Sequence, residues 1–463
     1  MLEDLQLTKV VRTALAGILV VSCAGLVGTT GEARGQSAGP VFPTLKRDYL
    51  LNGLQLIVNE RKAPAGLFVR LRIDGGAAFD LAGKGGLADV TAGMLLKGGG
   101  GFDAKSVVET TAQLGLSINL AVEWDATNLT VTGPEDSLES IFDLISRLVV
   151  SPSFDQKELD ALKAQRINAL ASEGNEEADP TQRKAMELLF GTHPYGRPVR
   201  GTAESISQIT RADLLYYHKK FYLANNAALI VIGDIKAEDV TQLGRTKLGS
   251  WKKGEKTPLS FRPPEPVSAR RLVVIDRASQ TGRAFIAKLG ISRRDKDYLP
   301  TLVMIEVLKS YASKATSGVT GTAIDAGLDG RFLPGPLWLL VTSPVPEMAR
   351  SLDAVIGSMS GLQSAPPPLD PVESAKARLV SSFAERLATP DGVANVVLNV
   401  ETYGLGRDYM INFADRVNAI TPADVQRVAQ AYLKPQSLVI VLAGPASVWQ
   451  DALKKLGDVT VAR

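Results

Sequence analysis

The stretch Ile209–Asp234, ITRADLLYYHKKFYLANNAALIVIGD, aligns without a gap on Ile420–Pro445, ITPADVQRVAQAYLKPQSLVIVLAGP, at a fixed offset of 211 residues. Both copies open on Ile-Thr, bring Ala-Asp two residues later and an aromatic residue seven or eight further on, and end in an apolar run closed by Gly. Each reads as a helix followed by a buried strand. A shared offset with matched elements marks an internal duplication of one α/β unit. The strands LFVRLRI (67–73) and RAFIAKLGI (283–291) fit the same scheme. Between the halves lies the Pro-rich segment KTPLSFRPPEPVSAR (Lys256–Arg270). The expected organisation is a first domain over 42–255, a linker over 256–270 and a second domain over 271–463.

Composition narrows the function. The chain has 463 residues, enough for two or three domains. Its 52 basic and 49 acidic residues leave a net charge of +3, with no long basic run, which speaks against a nucleic-acid partner. Only two histidines occur, His193 and His218, and one cysteine, Cys23. A catalytic zinc site takes two or three histidines with a carboxylate or cysteine, and little here can build one.

Lys9 and Arg12 precede the apolar run TALAGILVVSCAGLVG (Thr13–Gly28), which is followed by small polar residues. This reads as a signal peptide over 1–35, cleaved after Gly35, with export to a bacterial periplasm. VVSC also resembles a lipoprotein signal, in which Cys23 would be lipidated and anchor the protein to the outer membrane. Plain secretion is favoured because the apolar run continues past Cys23.

Strands are expected over Tyr49–Glu60 and Leu67–Asp80, joined by the turn Ala63-Pro64-Ala65-Gly66. The next segment, GGLADVTAGMLLKG (Gly85–Gly98), places Leu87, Val90, Met94 and Leu95 at helical spacing, predicting a helix over Gly86–Lys97. Helices are also expected over Lys105–Leu114, Ser137–Val149 and Gln156–Ser172, with strands at Ser117–Leu120 and Leu129–Gly133.

These segments, with LNGLQLIVNE, SPSFDQKEL, HPYGRPVRGTAESISQITRADLLYYHKKFYLANNAALIVIGDI (His193–Ile235) and ISRRDKDYLPTLVMIEVL (Ile291–Leu308), make the chain resemble the insulinase or pitrilysin-like zinc metallopeptidases. The resemblance is to their short bacterial and mitochondrial-processing-peptidase branch and covers nearly all of the mature chain. It implies an α+β fold of two homologous α/β domains, each an antiparallel sheet flanked by helices, closing as a clamshell around an extended peptide. Active members carry H-x-x-E-H on the helix after the second strand. Two histidines four apart grip one zinc ion, and the Glu between them activates water. The resemblance puts these positions at Asp89, Ala92 and Gly93, and the family's last ligand, a downstream glutamate, at Ala169. The two histidine positions, the base and the last ligand are therefore all replaced, so no metal or other cofactor is expected. Gly93 inside a helix costs about 1 kcal/mol relative to Ala, which a helix freed from zinc duty can tolerate.

The family's substrate-gripping Arg and Tyr align on Ala323 and Gly330, with Arg331 and Tyr311 nearby but out of step. Other residues read more plainly. His193 is a loop residue beside Pro194 and Tyr195, and His218 is a partly exposed helix residue. Gly98–Gly101 is a flexible helix end, not a phosphate cradle. EGNEEADP (Glu173–Pro180) is a solvated loop, and Arg293, Arg294 and Lys296 form a solvated turn.

The resemblance implies an exported, catalytically inactive subunit. It would supply half of a peptide-binding chamber to a zinc-containing partner chain that carries H-x-x-E-H. A peptide-binding or structural scaffold without a peptidase partner is the alternative. An active peptidase built on other residues lacks a base-and-ligand set.

Overall fold

The computed structural model describes residues 42–62, 66–173 and 179–462. The expected signal segment with Cys23, residues 63–65 of the predicted turn and residues 174–178 of the acidic loop lie outside them.

The first half contributes β1 (Lys46–Tyr49), β2 (Gln55–Glu60), β3 (Leu67–Asp74), β4 (Gly98–Gly99), β5 (Phe102–Asp103), β6 (Ser117–Val122), β7 (Ala126–Gly133) and β8 (Ala227–Gly233). Six of them form one sheet in the order β1-β2-β8-β3-β7-β6. The second half contributes β9 (Arg271–Asp276), β10 (Thr281–Leu289), β11 (Ala323–Leu328), β12 (Pro336–Pro344), β13 (Val439–Gly444) and β14 (Val459–Ala462), in the order β11-β12-β10-β13-β9-β14. The α+β class and the two sheet-bearing halves of the clamshell are as expected. Antiparallel pairs dominate, with parallel pairing of β2 with β8 and of β9 with β13 and β14.

Helices of the first half are α1 (Leu87–Leu95), α2 (Ala104–Gln113), α3 (Leu138–Ile145), α4 (Gln156–Glu173), α5 (Pro180–Phe190), α6 (Ala203–Ser207), α7 (Arg211–Phe221) and α8 (Ala237–Leu243). Those of the second are α9 (Tyr298–Ala315), α10 (Met348–Ser364), α11 (Leu369–Ala388), α12 (Pro390–Tyr403), α13 (Phe413–Asn418), α14 (Pro422–Tyr432) and the short α15 (Ala446–Trp449). The duplication is visible in their caps. Thr210 and Asp213 close a capping box at the start of α7, and Thr421 and Asp424 close the same box at α14. The recurring Ile-Thr-x-Ala-Asp is thus a helix-start device.

Side-chain alternation explains why the central strands are apolar throughout. On β3 and β8, Leu67, Val69, Leu71, Leu229 and Val231 pack into the core of the first half, whereas Phe68, Ile230 and Ile232 join a core built mainly by the second half. On β10 and β13, Ala284, Ile286, Ile440 and Leu442 face their own helices, whereas Phe285, Ala287, Val439 and Val441 meet Met186, Leu189 and Phe190 of α5. Each half therefore lends a helix to the other's sheet. α5 covers β10 and β13, and α12 covers β3 and β8. Polar ties lock the exchange. Buried Arg70 donates to Asp391 Oδ1 at 2.6 Å, Asn395 Oδ1 at 2.8 Å and Thr130 Oγ1 at 2.8 Å.

Several local expectations change. Tyr49–Glu60 is not one strand: β1 ends at Tyr49, the chain turns at Gly53 with φ +87°, and β2 pairs back on β1 from Gln55. β3 stops at Asp74, and a short 3₁₀ turn, Ala77–Phe79, follows. Gly98–Gly101 is the hairpin β4–β5, with Gly98, Gly100 and Gly101 at positive φ, and not a frayed helix end. The turn at Arg293 and Arg294 is anchored as well: Arg293 stacks over the Tyr298 ring, and Arg294 Nε donates to the Tyr403 carbonyl at 2.6 Å.

Candidate functional site

Helix α1 starts at a sharp turn. Gly86 stands before it at φ +90°, and the buried Asp80 carboxylate accepts from Gly86 N at 2.7 Å and Ala88 N at 2.8 Å. Burial pushes the Asp80 carboxyl up to about 7, against the pull of these N–H groups and of Arg197. Leu87, Val90 and Met94 fix α1 in the core of the first half. Asp89 and Gly93, four residues apart, share one face of the helix.

That face meets α4. Arg166 Nε lies 3.2 Å from Asp89 Oδ2. A Cβ at Gly93 would come 3.0 Å from Leu162 Cδ2 and 3.5 Å from Arg166 Nη2. Gly93 thus gives α4 room to approach, which explains the glycine by packing as well as by tolerance. The Arg166 guanidinium lies between the two positions that the resemblance gives to histidines. Ala169, three residues further along α4, shares the face of Arg166. Ala92 is buried. Burial raises the Asp89 carboxyl, and the charges of Arg166 and Arg200 pull it back.

This donor set does not fit a zinc ion. A guanidinium repels a second cation, and the carboxylate beside it already has its counter-charge. Among the described residues, no group of three or more His, Cys, Asp or Glu side chains is placed to hold a metal ion. Arg166 escaped the sequence reading. Its position three residues before Ala169 on a helix is the signal that would have found it.

The other sequence candidates are dispersed. His193 Nδ1 accepts from Tyr195 N at 3.1 Å, and its Nε2 lies 3.1 Å from the Arg262 carbonyl, so it caps a 3₁₀ turn. His218 is half-buried and donates from Nε2 to the Val149 carbonyl at 2.8 Å, which makes it a tie between elements. Ala323 is exposed on β11, Gly330 packs against Tyr298, and Tyr311 is half-buried against the core of the second half. Arg331 is buried. It pairs with Asp329 and lies over Trp124, with its Cζ 3.5 Å from the ring centroid, and over Tyr195 at 4.7 Å. Next to it Asp125 accepts from Tyr195 Oη at 2.7 Å, Phe332 N at 2.8 Å and Tyr403 Oη at 3.2 Å. This buried polar hub joins the halves and is closed to a substrate.

Strand β6 forms one edge of the first sheet and packs beside α1. Its side chains alternate between exposed and half-buried along Ser117–Val122.

The duplicated α+β fold, with a short helix following the second long strand, defines a peptidase-like chain. Residues 57–203 match the family model described as insulinase (peptidase family M16), and residues 208–379 match the one described as peptidase M16 inactive domain. The chain belongs to the insulinase family, peptidase family M16. It is similar to an uncharacterized zinc protease of Mycobacterium leprae, at 24% identity over 226 residues, 49% of this chain and 50% of that protein. It is also similar to a probable mitochondrial-processing peptidase subunit beta of Schizosaccharomyces pombe, at 22% identity over 435 residues, 88% of this chain and 93% of that protein. A solved structure described as a peptidase M16 inactive domain from Pseudomonas fluorescens superposes with a TM-score of 0.78 at 22% identity, covering 87% of this chain and 98% of that one. Against several curated relatives the matched region spans about half of the relative's length or less.

Proposed function

We propose that this chain is a catalytically inactive member of the insulinase family, exported, that supplies half of a peptide-binding chamber to a partner chain carrying H-x-x-E-H. The observation that supports the reading is the Asp89–Arg166 pair, an internal guanidinium beside a position to which the resemblance gives a metal ligand. Asp89, Ala92, Gly93 and Ala169 are then the degenerate remains of the zinc site, and the chain carries no cofactor. The packed contact between the halves supports a chamber completed from outside, because Arg70, Asp125 and the lent helices fill the space between the sheets. The edge of β6 beside α1 is where an extended peptide would add a strand. Export rests on the apolar run Thr13–Gly28, and Cys23 is the point at which secretion and lipid anchoring divide.

The test uses the full-length chain purified from its native envelope. A metallopeptidase of the same family should co-purify, and a quenched peptide should be cleaved by the pair and not by this chain alone. Chelator-sensitive cleavage by the chain alone would sink the reading. Peptide binding without any family partner would instead favour a scaffold role.

A further inference from the structure

A second feature lies away from α1. Lys288, at the end of β10, is 7% exposed. Its ammonium donates to Ser437 Oγ at 2.9 Å, and no carboxylate lies within ion-pair distance of it among the described residues. Ser437 is itself engaged, donating to the Lys434 carbonyl at 3.3 Å. An ammonium has three donors, so two of those on Lys288 have no acceptor among the described residues. Buried lysines are ordinarily paired, and an unpaired buried charge is unfavourable. The C-terminal end of α14, which closes at Tyr432, offsets part of that charge through its carbonyl dipoles. Burial and the nearby charge of Lys434 both act against the protonated form of Lys288.

Lys288 also lines a pocket of about 390 Å³, together with Lys434, Ser268, Tyr432, Val267 and Leu289. The pocket therefore offers two cations and the Ser268 hydroxyl beside an aromatic and aliphatic wall. Its lining includes no acidic residue. We infer that this pocket binds a small oxyanion, a carboxylate or a phosphate group, which accepts the free donors of Lys288 and pairs with Lys434. The inference is independent of the metal-site reading, since the pocket lies between the linker and the second half and uses none of the residues around α1.

The probes are inorganic phosphate and acetate, titrated calorimetrically into the full chain against chloride at equal ionic strength. Saturable binding of at least one is expected. Lys288→Met should weaken it by about tenfold or more, and Lys434→Gln by a smaller factor. Lys288→Met should also fold at least as well as the parent, because it removes a buried unpaired charge. Should that variant fail to fold, mass spectrometry of the unaltered chain treated with acetic anhydride gives the answer: the bound anion should slow acetylation of Lys288. Absence of saturable binding by either probe, an undiminished response in folded Lys288→Met, or acetylation unaffected by the anions would each overturn the inference.

Discussion

Arg166 on α4 reaches across to Asp89 on α1, Nε to Oδ2 at 3.2 Å, and fills the space between the two helices. The pair is partly screened, with side chains 30% and 15% exposed. Removing Arg166 alone leaves a mostly buried carboxylate without this partner. Arg166→Met should destabilise the protein by about 1 kcal/mol, and a double-mutant cycle with Asp89→Asn should recover most of the loss. Additive effects in urea unfolding would mean that the contact carries no energy.

The same pair sets a condition on rebuilding a metal site. Asp89→His, Ala92→Glu, Gly93→His and Ala169→Glu together should bind zinc weakly while Arg166 remains. The imidazole at position 93 would enter the space that Leu162 and the guanidinium hold. Adding Arg166→Gln should raise zinc content by about tenfold or more. Metal analysis after dialysis decides this. Equal zinc in both variants would show that Arg166 does not block the site.

Asp80 gives a pH signature. Its carboxyl sits at about 7 in the folded chain, whereas an unfolded aspartate titrates near 3.9. The folded state thus holds the proton more tightly. The stability from Asp80 is whole below about pH 4 and is lost as pH rises towards 7. Across that window the change is on the order of 4 kcal/mol. The urea midpoint of the parent, compared with Asp80→Asn, should fall between roughly pH 4 and pH 7 and level off above that. A constant difference would show that the N–H groups of α1 keep Asp80 ionised throughout.

The exchange of α5 and α12 predicts mutual dependence of the halves. Residues 42–255 and 271–463 expressed separately should each expose apolar sheet surface and bind a hydrophobic dye, and co-expression should restore a stable pair. Arg70→Ala, which removes the bonds to Asp391 and Asn395, should cost about 2 kcal/mol and weaken that pairing. Two halves that fold cooperatively alone would refute the dependence.

Arg331 is a structural cation in this fold. Arg331→Ala should cost about 2–3 kcal/mol, through the lost stacking on Trp124 and Tyr195 and the lost pairing with Asp329. Peptide affinity of the folded variant should be unchanged. A selective loss of peptide binding at constant stability would give Arg331 a substrate-gripping role that the alignment on Ala323 and Gly330 did not assign to it.

Much of this was legible in the sequence because it is local. The offset of 211 residues survives in two capping boxes and two buried strands, each made by neighbours along the chain. The spacing of Leu87, Val90 and Met94 is enough to make α1 a helix, and with Asp, Ala and Gly at 89, 92 and 93 that helix carries no histidine. Local pattern could not tell a frayed helix end from the β4–β5 hairpin, since both take a run of glycines. It also could not tell what packs on the face of α1 that carries Asp89 and Gly93. Asp89 meets Arg166 from 77 positions away, and β3 meets α12 from the other half of the chain. Helical and strand periodicity say which face of an element is buried, because they are properties of one segment. Which partner buries it depends on how segments far apart in the chain pack, and only the tertiary structure decided that α5 and α12 change places and that a guanidinium stands beside Asp89.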